Sequence, residues 1–257
     1  MTATATDNQL NRALQFYEAP IGKKVVMAAT GVILFGFVLG HMAGNLQIFL
    51  GREKFDAYAE LLRHTPALLW GVRTVLLVSV ILHITASIQL TRLKQRARPI
   101  GYRKKAAVDS SYASRTMMWS GPIIAAFIVY HLLHFTLGTV HPNFQEGHVY
   151  DNVLAGFRVL PVSIAYIVAM VLLGMHLNHG LWSMFQSLGV GNPRYSAGLR
   201  RFAHIFSILV VLGFISIPIA VMAGYGSYRG SQNTVTDGTV QAAQERRLGT
   251  VSSVTVF

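Results

Sequence analysis

Five apolar runs dominate the 257-residue chain: roughly Val25–Leu50, Ala67–Leu90, Met117–Val140, Val159–Leu188 and Phe202–Tyr225. A helix needs about 20 consecutive apolar residues to cross the hydrocarbon core of a bilayer. Backbone polar groups find no water there, so each span must satisfy its own hydrogen bonds, as a helix does. The runs therefore predict an all-α integral membrane bundle of five transmembrane helices within residues 1–228, followed by a polar tail, 229–257, with a weakly strand-prone end at Val251–Phe257. Composition agrees, since 12% of the residues are charged against about a quarter in soluble domains. Lys23 and Lys24 precede the first run, and Trp70, Trp119 and Trp182 lie near run ends, where amphipathic rings favour the membrane interface.

The formal net charge is +12. The basic residues fall between the apolar runs, which is a pattern of membrane topology and of contact with anionic lipid or an acidic partner, not of nucleic-acid binding. Between the second and third runs stand Arg92, Lys94, Arg96, Arg98, Arg103, Lys104, Lys105 and Arg115 against the single acid Asp109. Between the fourth and fifth stand Arg194, Arg200 and Arg201 with no acid. The connections after the first and third runs, the latter His141 to Arg158, mix both signs. Lys and Arg excess marks the cytoplasmic side. The N-terminus is thus expected inside and the C-terminus outside, in a multi-pass protein of the cell inner (cytoplasmic) membrane. No small-residue cleavage pattern follows a short apolar core in the first 22 residues, so the first span is expected to act as its own insertion signal. The chain has no cysteine, which removes disulfides, thiolate-held metals and iron–sulfur clusters as products of this chain alone.

Six of the ten histidines lie inside the runs: His41, His83, His131, His134, His176 and His179. An ionisable side chain at membrane depth is costly and marks function by default, whereas a single intramembrane histidine serves as readily as a helix-to-helix hydrogen bond. Six, spread over four successive spans, favour function. Depth sorts four of them. Spans one and three run outward, and His41 and His131 lie past their centres. Spans two and four run inward, and His83 and His176 lie past theirs. At 1.5 Å per residue this gives an outer layer, His41 with His131, and an inner layer, His83 with His176, roughly 10 Å apart. Each layer offers two ligands from different helices, which a haem in a bundle core requires. Gly40, Gly44, Gly121, Gly174 and Gly180 near these histidines are read either as room for a porphyrin or as plain helix packing. His134 and His179 follow at i+3. No carboxylate or thiolate joins them at depth, so propionate, quinone or backbone contacts are expected rather than zinc. His204 reads as interfacial. Glu60, Arg63 and His64 gather just before span two. They form either a solvated cluster or a quinone site whose His and Glu exchange the protons of quinone reduction.

The segments that carry these residues are His41-Met-Ala-Gly-Asn45, His83, Tyr130-His131-Leu-Leu-His134 and His176-Leu-Asn-His-Gly-Leu-Trp-Ser183. Over roughly residues 10–228 the chain resembles the cytochrome b membrane-anchor subunit of succinate dehydrogenase and fumarate reductase, in the single-subunit, five-helix, dihaem class. The Gly-Leu-Trp-Ser stretch after His176 is the most specific piece. The resemblance implies two haem b groups with His41, His83, His131 and His176 as axial ligands to the haem iron. His179 stands where many members carry Asn. It also implies a quinone substrate (menaquinone or another) and two soluble partners: a flavoprotein subunit that oxidises succinate and an iron–sulfur subunit docked on the cytoplasmic face. The strip from Arg92 to Lys105 reads either as a topology determinant alone or also as a docking surface for the iron–sulfur subunit, with Arg115 or nearby donors then beside the inner-haem propionates. Succinate chemistry is expected in the partners, since no glycine-rich dinucleotide fingerprint is present here. Two alternatives stand beside this reading. A dihaem anchor of hydrogenase or formate dehydrogenase type is disfavoured by the Gly-Leu-Trp-Ser stretch. A haem-free histidine-bearing transporter is disfavoured by spans without a single Asp or Glu.

Overall fold

The computed structural model describes residues 5–97, 112–190 and 192–226. The tail 229–257 and the basic residues Arg98, Arg103, Lys104 and Lys105 lie outside them. The described chain is helical and contains no strand. Five helices are long and apolar enough to cross a membrane: α2 (Pro20–Leu46, continued by a 3-10 turn to Leu50), α4 (Pro66–Arg96), α5 (Tyr112–His131), α7 (Leu160–Ser187) and α8 (Pro193–Met222). Three shorter helices accompany them: α1 (Ala5–Glu18), α3 (Arg52–Arg63) and α6 (Val149–Arg158).

Local chemistry sets the ends. Proline occupies the first turn of α2, α4, α7 and α8, where its missing N–H would have had no intrahelical partner and its fixed φ suits the helix. Asn192 caps α8, its side chain accepting from the Arg194 N–H at 3.0 Å. Lys23 donates to the Tyr17 and Glu18 carbonyls at the end of α1 (2.7 and 2.8 Å), a cation where the helix dipole is negative. Span three ends sooner than its hydropathy predicts. Regular α-helix stops at His131, a π turn covers Leu132–Thr136, and Gly138 then takes a left-handed φ of 72°, so residues up to Val140 belong to a turn. At the other end, α5 begins five residues before Met117.

The closely packed neighbours are α2 with α4, α5 with α7, and α7 with α8, while α2 also touches α7 and α8. The outer faces are apolar and bare: Leu77, Trp70 and Trp119 are 62%, 63% and 73% exposed. A soluble protein rarely exposes that much contiguous apolar surface, and a lipid bilayer is the environment that covers it.

The connections after spans one and three, read from the sequence as loops, fold into α3 and α6. Both are amphipathic, and together they cap the end of the bundle that carries His41. Ile48, Phe55, Tyr150, Val153, Leu154, Phe157, Tyr166, Ile217 and Val221 form the core beneath them. The Tyr150 N–H donates to Asp56 (2.9 Å), Tyr225 donates to the Ile48 carbonyl (2.8 Å), and Arg52 forms a two-pronged ion pair with Asp151. Burial decides which of these matters most. Ile48 is fully buried, so Ile48→Ala is expected to cost about 2–5 kcal/mol. Arg52 is exposed and Asp151 partly so, and Arg52→Ala is expected to cost about 1 kcal/mol or less. Thermal unfolding in detergent checks the order, and an Ile48→Ala protein as stable as the parent would show that the cap does not hold the bundle end.

Candidate cofactor site

The histidines of spans one to four meet in two pairs. His41 on α2 faces His131 at the end of α5, with ring centroids 5.8 Å apart and planes at 82°. His83 on α4 faces His176 on α7, with centroids 6.4 Å apart and planes at 57°. Neither α2 with α5 nor α4 with α7 belongs to the closely packed helix pairs, so each pair reaches across a gap between helix backbones. A metal held between two imidazole nitrogens, about 2 Å from each, sets the ring centroids about 6 Å apart.

Hydroxyl groups orient one ring of each pair. Thr30 donates its single hydrogen to the Val26 carbonyl at 2.8 Å, so toward His83 Nδ1, 3.1 Å away, its oxygen can only accept. His83 therefore carries its hydrogen on Nδ1 and leaves the Nε2 lone pair for a ligand. The Tyr166 hydroxyl stands 3.3 Å from His131 Nδ1, leaving Nε2 as that ring's remaining nitrogen. Such outer contacts fix ring orientation and tautomer at metal sites. The sequence reading missed Thr30 and Tyr166. Their signal was a hydroxyl at membrane depth, which must find an acceptor inside the protein.

The two levels lie further apart than the roughly 10 Å expected. His83 meets α2 at Thr30, eleven residues before His41, and His131 meets α7 at Tyr166, ten residues before His176. Helical rise makes either interval about 15 Å. The shorter expectation counts from span centres set by hydropathy, but α2 and α5 each begin five residues before their apolar runs, which moves their centres back and sets His41 and His131 further outward.

The nearby glycines divide between the two roles considered. A Cβ at Gly40, Gly121 or Gly180 would meet nothing within 4 Å, so these positions border open space. Gly44 instead lies against Tyr58, and Gly174 against Val211. For those two, helix packing is the whole explanation.

Compared with family models, with curated proteins and with solved structures, the chain matches none. The donor set must therefore speak for itself. Among the described residues no group of three or more His, Cys, Asp or Glu is placed to hold a metal ion. Two imidazoles alone leave a bare ion under-coordinated, but they complete an iron whose equatorial positions a macrocycle already fills. The two pairs fit such a group.

The other histidines separate. His134, in the π turn, is fully buried beside Tyr130, Tyr166 and His141, and His179 is half-buried one turn after His176. His204 is exposed. Arg115 lies in α5, with its side chain outside the described set. Glu60, Arg63 and His64 sit at the end of α3, on the His41 side of the bundle. Glu60 and His64 face each other at 3.4 Å with side chains 70% and 74% exposed, and Arg63 reaches the Gly147 carbonyl. A cleft of about 310 Å³ lies between Phe49, Leu50 and Gly51 on one side and Tyr150 and Tyr225 on the other.

Proposed function

We propose that the chain is the dihaem cytochrome b membrane subunit of a succinate:quinone oxidoreductase. In this reading it passes electrons from an iron–sulfur partner, itself fed by a flavoprotein, through two haem b groups to a membrane quinone such as menaquinone. The observation that carries the proposal is the twofold pairing of histidines across helices, His41 with His131 and His83 with His176, each at the spacing of a bis-imidazole iron and about 15 Å apart along the bundle. Bound haems supply the one-electron chemistry, and the protein's part is to hold, orient and tune them. His83 and His131 present Nε2 because Thr30 and Tyr166 occupy their Nδ1 atoms. The apolar spans keep water from the irons, and no acidic residue competes within them.

The same reading puts the soluble partners at the basic, cytoplasmic end and the quinone near the His41 end. There Glu60 and His64 stand open to water, placed to exchange the two protons that a two-electron quinone reduction takes up. Reduced-minus-oxidised absorption spectra of the purified protein test the proposal. The expected result is two low-spin haem b components per chain. A folded, membrane-inserted protein that purifies without haem from haem-replete cells would overturn it. Co-purification of a flavoprotein with succinate-dependent quinone reduction separates this anchor from one of hydrogenase or formate dehydrogenase type.

A further inference from the structure

We propose that Tyr166 and His134 form a two-residue relay that fixes the tautomer of His131 and lowers the midpoint potential of the haem held there. The inference rests on the dihaem reading. Its starting point is one hydroxyl between two imidazoles: the Tyr166 oxygen lies 3.3 Å from His131 Nδ1 and 3.0 Å from His134 Nδ1. A phenol has one hydrogen to give, so it donates to one ring and accepts from the other. Ligation through Nε2 leaves the His131 hydrogen on Nδ1, and that N–H donates to Tyr166. The Tyr166 hydrogen must then go to His134 Nδ1, which places the hydrogen of His134 on Nε2.

The surroundings hold this chain rigid. Tyr166 is buried, with Phe127 and Phe157 edge-on to its ring at 4.9 and 5.0 Å, so the hydroxyl has one place to be. The His134 ring is stacked between Tyr130 and His141, at 5.5 and 4.9 Å. A Cβ on Gly156 of α6 would come within 2.8 Å of its Cε1. His141 cannot answer it, because its own Nε2 donates to the Asn152 carbonyl (2.8 Å) and its Nδ1 accepts from the Asn143 N–H (3.1 Å). His134 Nε2 is consequently buried with no partner, an unfavourable position for a polar atom. An apolar ring would pack here without that penalty. What histidine adds is the Nδ1 acceptor facing Tyr166.

The consequence is electronic. A ligand histidine that donates its second N–H strongly becomes a better donor to the metal and favours the oxidised iron. A Tyr166 hydroxyl whose own hydrogen is drawn to His134 is a better acceptor than an unassisted one, since hydrogen bonds in a chain reinforce one another. The His83/His176 site, braced by Thr30, shares none of these groups and serves as an internal control.

Redox titration of the two haem components in purified variants tests the relay. Tyr166→Phe is expected to shift the His41/His131 component to more positive potential and leave the other unmoved. His134→Leu is expected to shift it the same way by a smaller amount, and His134→Asn, which keeps an acceptor near the Nδ1 position, to restore the parental value. Both haems present with unmoved potentials in Tyr166→Phe would overturn the relay while leaving the dihaem reading intact. If Tyr166→Phe fails to fold, equal potentials in His134→Leu and His134→Asn do the same. A parent protein that binds no haem would instead remove the reading on which the relay rests.

Discussion

His83→Ala is expected to release one of the two haems, halving the haem content, while the His41/His131 component keeps its spectrum and potential. Three observations set the size of that effect. On the dihaem reading the His83/His176 pair supplies both protein ligands at its level, and among the described residues no group of three or more His, Cys, Asp or Glu is placed to hold a metal ion. Helical rise puts the other pair about 15 Å away, beyond the 7–10 Å or so within which substitutions usually couple. Insertion does not depend on the histidine, because α4 remains a long apolar helix with alanine in its place. Thr30→Val is the milder companion. It keeps the shape and removes the acceptor of His83 Nδ1, and outer contacts of this kind are worth about 10–100-fold in metal affinity. Haem quantification and difference spectra read both variants. Retention of two unchanged components in His83→Ala would sink the assignment of this pair.

The parts legible in the sequence were those written as periodicity and polarity along one helix. Five apolar runs became five long helices because, in lipid, length and hydropathy nearly suffice to specify a span. Histidine pairing followed from depth alone, since antiparallel spans tie residue number to level. The remainder depends on contacts between segments distant in sequence. Residues 52–63 and 149–158 carry charges at their ends and look like loops, but Phe55 and Phe157 turn one face of each toward a shared core. Gly44 and Gly174 could not be told from Gly40 and Gly180 without knowing that Tyr58 and Val211 lie opposite them. Tyr166 illustrates the same point for the site. The stretch around it, 164–175, reads as apolar, and only its position between His131 and His134 gives its hydroxyl a task. Glu60, Arg63 and His64 are neighbours in sequence and share the end of α3, and all three are exposed.

A membrane potential is expected to redistribute electrons between the two haems, by an amount that the geometry fixes. Moving one charge across the whole membrane changes its free energy by about 2.3 kcal/mol per 100 mV. The two histidine levels, about 15 Å apart by helical rise, span about half of a hydrocarbon core of ~30 Å. An electron passing between them then gains or loses about 1.2 kcal/mol per 100 mV, a roughly sevenfold change in the ratio of the two reduced haems. No Asp or Glu lies within any span, so this chain offers no carboxylate relay to carry protons alongside and cancel the charge movement. The sign reports topology. With the N-terminus inside, an inside-negative potential drives electrons outward, toward the His41/His131 haem. The measurement uses vesicles of uniform protein orientation, a potassium diffusion potential of known sign, and the two haem bands at a redox poise where both are half-reduced. A redistribution of this size with the opposite sign would reverse the orientation inferred from the loop charges. No redistribution at all would mean that the two histidine levels do not stack along the membrane normal, and the path of electrons across the bilayer would have to be sought elsewhere.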